Sequence, residues 1–199
     1  MHKKEWFAEW FDTPYYHILY KNRDVIEAKL FIKSLLNELN LPKASSVLDL
    51  ACGKGRHSVT LNEFGYRVHG VDLSSQSIAH AKKFANEQLS FAVQDMRVPI
   101  EDMKFDAIFN LFTSFGYFSS KLENEKVCHA MAKMLQPGGR LVIDFMNTSK
   151  VVQNLVPKEI KNDLAYKIEK VLIHEMIHAC KLDKYIWDND KTIDYKFKC

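Results

Sequence analysis

Short apolar runs alternate with stretches of helical spacing through the middle of this chain. Residues 47–50, 67–72, 89–93, 105–111 and 140–145 have the length and the β-branched or aromatic character of buried strands. From Asp24 the apolar positions Ile26, Leu30, Phe31, Leu35 and Leu39 repeat at helical spacing. A second helix opens at Arg56 and runs to about Phe64, where Gly65 stops it. Residues 77–87 turn Ile78, Ala81 and Phe84 inward, and a helix over 122–135 is stopped by Gln136-Pro137-Gly138-Gly139. Strand and helix alternating five times predict an α/β fold: a doubly wound, mostly parallel sheet with helices on both faces.

The two ends read differently. Residues 1–42 form a helical, aromatic cap segment with Trp6, Phe7, Trp10, Phe11, Tyr15, Tyr16 and Tyr20, and Asp12-Thr13-Pro14 offers a cap and a helix-compatible proline. After the core at 43–150, residues 151–159 read as a loop or short helix. Residues 166–173, 177–186 and 192–197 are strand-like, with a turn over 187–191, and make a β-rich antiparallel extension over 151–199. The fifth parallel strand is then left as an edge, which a truncated chain or a partner, a second copy included, would explain.

Composition narrows the class. The chain has 199 residues, 47% hydrophobic and 27% charged, at net charge +3. That suits a globular protein rather than a nucleic-acid binder with a clustered basic stripe. The four cysteines (Cys52, Cys128, Cys180, Cys199) form no CxxC pair, and no stretch is long and apolar enough to span a membrane. The expectation is a cytoplasmic protein with reduced thiols, no resident metal, and no nucleic-acid or membrane partner.

Chemistry converges on one sheet edge. The first strand runs into Gly53 and Gly55, where missing Cβ atoms let backbone approach a nucleotide-like ligand. Asp72 ends the second strand nineteen positions after Gly53, near the roughly 20-residue offset of a ribose-binding carboxylate; a helix N-cap suits the same position. Asp95 ends the third strand as a candidate acceptor for an exocyclic base amine, and Met96 beside it suits an adenine face or plain core. Asp49, Gly53, Asp72, Asp95 and Asn110 all map to the carboxyl edge of the sheet, where open α/β sheets bind ligands. The N-terminal aromatics read as a packed lid or core, or place Tyr16, Tyr20 and Arg23 over the ligand.

With these pieces placed, VLDLACGKGRH, VHGVDLS, FAVQDM, FDAIFNLFTSFGYF and LQPGGRLVIDF resemble, in order and spacing, the motifs of class I S-adenosylmethionine-dependent methyltransferases. The similarity covers about residues 45–147. FDTPYYHILYKNRD is more loosely similar to the cap of small-molecule members. The resemblance implies a Rossmann-like fold and S-adenosylmethionine as cofactor, with S-adenosylhomocysteine as product. It implies that Asp49, Ala51, Gly53 and Gly55 hold the methionine part, and Asp72 the ribose. Leu73, Asp95 and Met96 would face the adenine, Asn110 would lie near the sulfonium, and Tyr20 and Arg23 would close over the cofactor. Tyr16, Phe112, Phe115 and Tyr117 would meet a small-molecule substrate. Ala51 stands where the family often has glycine, and the family's closing strands are not evident.

No catalytic residue is assigned, although His57, Tyr117 and Tyr16 could act as a base by position. Asn110-Leu111-Phe112-Thr113 is not the Asn/Asp-Pro-Pro-Tyr of adenine or glutamine-amide methylation. Three rivals stand beside the methyltransferase. His174-Glu175-Met176-Ile177-His178 spells HExxH, but zinc proteolysis needs it on a helix with a third ligand, and the surrounding pattern is strand-like. A nicotinamide-dependent enzyme would carry Gly or Ala where Ser58 stands. A truncated, catalytically incomplete chain would act as an interaction subunit.

Overall fold

The computed structural model describes residues 25–147, with Phe7, Phe11, Thr13, Lys150, Gln153 and Asn154, and the backbone of four strands within 158–198. Two compact units emerge, Asn22–Phe145 and Met1–Lys21 with Met146–Cys199.

In the larger unit the elements follow as α1 (Val25–Leu39), β1 (Ser46–Leu50), α2 (Arg56–Glu63), β2 (Arg67–Asp72), α3 (Ser75–Ala81), β3 (Leu89–Val93), β4 (Phe105–Asn110), α4 (Lys121–Met134) and β5 (Leu135–Ile143). All five strands are parallel, in the order β3-β2-β1-β4-β5. The chain winds outward from β1 to β3, then crosses over to place β4 on the other side of β1. The strand order therefore reverses between β1 and β4, and ligand clefts form at that point. The sequence of β1 and β4 explains their central place: Val47, Leu48, Leu50, Ala107, Ile108 and Phe109 are all essentially inaccessible, as strands covered on both faces require.

Helix α2 lies close to the sheet because two residues lack a Cβ. A Cβ built at Gly70 in β2 would fall 2.6 Å from the Phe91 ring, and one at Gly55, which precedes α2, would fall 2.9 Å from the same ring. Phe91, itself buried, thus fills the space between two glycines. Ion pairs between Arg56 and Glu27 and between Lys29 and Glu63, each 2.9 Å, tie α2 to α1.

Four expectations need correction. The buried face of α1 is Ala28, Ile32 and Leu36, with Leu35 and Leu39 partly buried; Ile26 and Leu30 are 69% and 67% exposed. Both candidate stripes share helical spacing, and the small Ala28 marks where the helix approaches its neighbours. The third helix stops at Ala81 and tightens into a 3₁₀ turn over Lys82–Phe84, leaving Phe84 exposed. Residues 136–139 do more than end α4. Phe105 pairs with Leu135 and Ala107 with Arg140, so Gln136-Pro137-Gly138-Gly139 bulges within β5, and Pro137 is tolerated because the strand is an edge. Residues 158–159, expected as loop or short helix, open a further strand.

The second unit contains an antiparallel sheet of β6 (Lys158–Asn162), β7 (Lys167–Glu175), β8 (Ala179–Asp188) and β9 (Lys191–Lys198), in chain order. This is the expected β-rich extension. His174 and Glu175 end β7 rather than lying on a helix, so the HExxH reading loses its geometry there; residues 176–178 lie outside the described residues. Among the described residues no helix is long and apolar enough to cross a membrane.

The burial of α1 gives a direct test by urea denaturation. Ile32→Ala removes a fully buried side chain and should cost about 2–5 kcal/mol, whereas Leu30→Ala should change stability by less than about 0.5 kcal/mol. Similar costs at both positions would mean that the other stripe faces the core. Gly70→Ala should lose roughly 1–3 kcal/mol by overpacking against Phe91.

Candidate functional site

The carboxyl edge of the sheet is built around the loop from β1 to α2. Its backbone is left-handed at Ala51 (φ 65°), Gly53 (φ 56°) and Gly55 (φ 82°). Ala51 adopts the conformation that favours glycine, so the turn forms despite a Cβ, at a cost of about 1–2 kcal/mol. The Cys52 amide donates to Val71 O at 2.9 Å and ties the loop to β2. A Cβ at Gly53 would meet nothing within 4 Å, so the loop tip faces open space.

Asp72 grips this loop. One carboxylate oxygen accepts from Gly53 N and the other from Ser74 N, both at 2.8 Å. The N-cap of α3 is Ser74, whose hydroxyl accepts from Ser77 N, so capping does not account for Asp72. Leu73, next in the chain, is 41% exposed.

Asp49 is buried in mid-sheet, 1% exposed, and accepts a 2.5 Å hydrogen bond from the Ser58 hydroxyl of α2. Burial pushes its carboxyl up to about 6, helped by the charge of Asp72 and opposed by the Ser58 hydrogen bond and Arg56. Burial, then Asp49 and Asp72, raise the Cys52 thiol far above its ordinary range. Burial and then Arg56 lower His57 to about 4, so it is neutral at pH 7; a ring nitrogen lies 3.2 Å from the Arg56 guanidinium.

Asn110 ends β4 beside this group. Its side-chain amide donates to Leu50 O at 2.9 Å, while Oδ1, fully buried, has no partner. The chain then turns through two successive left-handed residues, Phe112 (φ 66°) and Thr113 (φ 57°). Asp144 holds that turn: Oδ2 accepts from Phe112 N at 2.9 Å and its backbone oxygen from Thr113 N at 3.1 Å. The Phe112 ring lies 5.6 Å from the Arg56 guanidinium, which brings the turn against the start of α2. Phe115 and Tyr117 are half-buried beyond it.

At the tip of β3, Asp95 is engaged by Arg97 through four contacts of 2.5–3.0 Å to its two oxygens. Burial raises the Asp95 carboxyl, but the Arg97 hydrogen bonds and charge outweigh it and hold the group below the usual carboxylate range. Arg97 also bridges to Glu123 of α4 at 2.8 Å and lies 4.5 Å from the Phe118 ring. The contacts come from three Arg97 donors, the backbone amide, Nε shared between both oxygens, and one terminal nitrogen. A base amine would share Asp95 with these donors. Met96 is half-buried beside it.

The structure thus brings Asp49, Ala51, Gly53, Gly55, Asp72 and Asn110 together on one edge, with Phe112 against α2. Tyr16, Tyr20 and Arg23 lie outside the described residues. Sequence reasoning missed Ser58, Arg97 and Asp144. Asp144 directly follows β5, at the same sheet edge where Asp72 ends β2, so the same strand-tip rule would have found it.

Residues 47–139 match a family model described as "Methyltransferase domain". The chain is 36% identical over 104 residues to the dTDP-3-amino-3,4,6-trideoxy-alpha-D-glucopyranose N,N-dimethyltransferase of Streptomyces venezuelae, covering 52% of this chain and 43% of that one. It is 32% identical over 130 residues to glycine N-methyltransferase of Rattus norvegicus, covering 57% and 44%. The chain spans less than half the length of these curated relatives. In fold it is similar to an S-adenosylmethionine-dependent methyltransferase from Clostridium acetobutylicum ATCC 824, with TM-score 0.68 at 24% identity, covering 96% of this chain and 79% of that one.

The buried Asp49 charge should act against stability. Its folded-state value near 6 lies above the ordinary 3.8, so the penalty is full above pH 6 and is relieved as pH falls from about 6 towards 4. Asp49→Asn should therefore stabilise the ligand-free protein at pH 7.5 by roughly 1–3 kcal/mol, and by much less at pH 4.5. A urea series at the two pH values checks the sign.

Proposed function

Because residues 47–139 match the methyltransferase-domain model and the sheet has the fold of an S-adenosylmethionine-dependent methyltransferase, we propose that this protein moves a methyl group from S-adenosylmethionine to a small-molecule acceptor. The reading rests above all on the acceptor groups at the β1/β4 crossover. Asp49, Asp72 and the unpartnered Asn110 Oδ1 surround a loop whose tip faces open space. Such a set suits a ligand that is cationic and carries hydroxyl and amino donors.

When bound, S-adenosylmethionine supplies an electrophilic methyl group on a sulfonium. The protein's part is to bind, orient and exclude water. Gly53 and Gly55 bring backbone close to the methionine part, and Asp49 holds its ammonium group by charge. Asp72 keeps the loop closed and takes the ribose hydroxyls. Leu73 and Met96 pack on the adenine, whose amine shares Asp95 with Arg97. Asn110 Oδ1 accepts a hydrogen bond from donor or acceptor near the reacting centre. Phe112, Phe115 and Tyr117 line the acceptor side, where aromatic surface excludes water. Both curated relatives are N-methyltransferases by name, so amino sugars on nucleoside diphosphates and small amino acids are the first acceptors to screen.

Calorimetric titration with S-adenosylmethionine, S-adenosylhomocysteine and NAD tests the reading. The first two should bind and NAD should not. Asp72→Ala should weaken binding roughly 10–100-fold, the scale of a lost charge-assisted hydrogen bond. Folded wild-type protein that binds neither S-adenosyl ligand would end the methyltransferase reading.

A further inference from the structure

The buried pair Asp49 and Ser58 stands out as a charge whose hydrogen bonds, from a hydroxyl and a backbone amide, come from one residue. Ser58 is 0% exposed and its hydroxyl meets Asp49 at 2.5 Å, across nine residues of chain. The hydroxyl fits because β2 has a glycine at that level: a Cβ on Gly70 would fall 2.9 Å from Ser58 Oγ. Asp49 and Gly70 are register partners in β1 and β2, so the serine reaches down from α2 over the pair of strands. A glycine or alanine at position 58 would close the same turn and pack under the same helix, but would offer Asp49 only its backbone amide and no hydroxyl.

We propose that Ser58 is a positioning residue for cofactor binding: its hydroxyl, seated against Gly70, orients the buried Asp49 carboxyl and keeps it in the charged form that holds the donor's ammonium group. This rests on the assignment of Asp49 to that ammonium. Two charged groups face Asp49. Asp72 at the tip of β2 disfavours its charge, and Arg56 at the start of α2 favours it. Cys52 of the loop is held as the neutral thiol, and neighbouring β4 presents Phe109 and Asn110, neither of which titrates. Ser58 is thus the hydrogen-bonding contribution to a balance otherwise set by burial and two opposed charges.

The test reads binding and titration separately. Affinity for S-adenosylhomocysteine, which keeps the ammonium group, is measured by calorimetry from pH 5 to pH 8. In the ligand-free protein the Asp49 carboxyl is followed by carbon NMR. Wild-type affinity should fall as pH drops through about 6, as Asp49 takes up its proton. In Ser58→Ala both midpoints should move up together by about half a pH unit or more, because the lost hydrogen bond favoured the charged form. At pH 8, with Asp49 ionised in both, affinities should agree within about threefold. Ser58→Cys, which keeps the volume with a weaker donor, should fall between them and carries the test where Ser58→Ala does not fold. Asp49→Asn should bind weakly with no step near pH 6.

Binding that weakens equally at every pH in Ser58→Ala, with the midpoint unmoved, would overturn the proposal and leave Ser58 a packing residue. A step that persists in Asp49→Asn would overturn it too. Wild-type protein that binds no S-adenosyl ligand at any pH would instead overturn the methyltransferase reading, whatever the NMR arm shows for Ser58.

Discussion

The approach of α2 to the sheet is set by two missing Cβ atoms and one ring. Phe91 needs the space that Gly55 and Gly70 leave open, and filling it brings the start of α2 down over β1 and β2. That approach fixes much of the candidate site. It carries Ser58 within hydrogen-bonding distance of Asp49 and sets Arg56 between Glu27 and the Phe112 ring. A helix standing farther out would leave Asp49 with no donor and Phe112 with no cation against it.

The edge so formed is electrostatically costly. Asp49 is ionised at neutral pH in a place where burial opposes its charge, and Asp72 adds to the opposition. Asn110 hides an acceptor with no donor, and Phe112 and Thr113 hold left-handed backbone that side chains disfavour. These costs gather at the crossover between β1 and β4, and a cationic, donor-rich ligand would offset the first two. The loop after β4 is held by Asp144 rather than by its own propensity, since both strained residues donate their amides to that one residue.

Most of this frame was legible in the sequence. β2 and β3 begin and end where their apolar runs do, although β3 is an edge strand and buries only Leu89 and Phe91 fully. Helix faces were harder. Ile26 and Leu30 have the spacing of a core stripe, yet Ala28, Ile32 and Leu36 are inside; periodicity gives the pitch of a helix but not its rotation. The bulge at residues 136–139 reads as a stop because proline and glycine break helices and strands alike. At the site, the strand-tip rule found Asp72 and Asp95 and should have found Asp144. It could not reveal that Asp95 is engaged by Arg97, a contact two residues away in sequence that depends on how the turn folds. Ser58 was weighed for size alone, and its hydroxyl has meaning only once Gly70 is seen beside it.

Cys52 carries one more consequence. A sulfonium methyl donor is an alkylating agent, and the best nucleophile among side chains is a thiolate. Cys52 sits on the loop assigned to that donor, yet burial and the neighbouring Asp49 and Asp72 charges keep its sulfur protonated. The carboxylates proposed to attract the cation would therefore also disarm the thiol beside it. On the proposed reading, the charges that load the donor would also protect the protein from methylating itself.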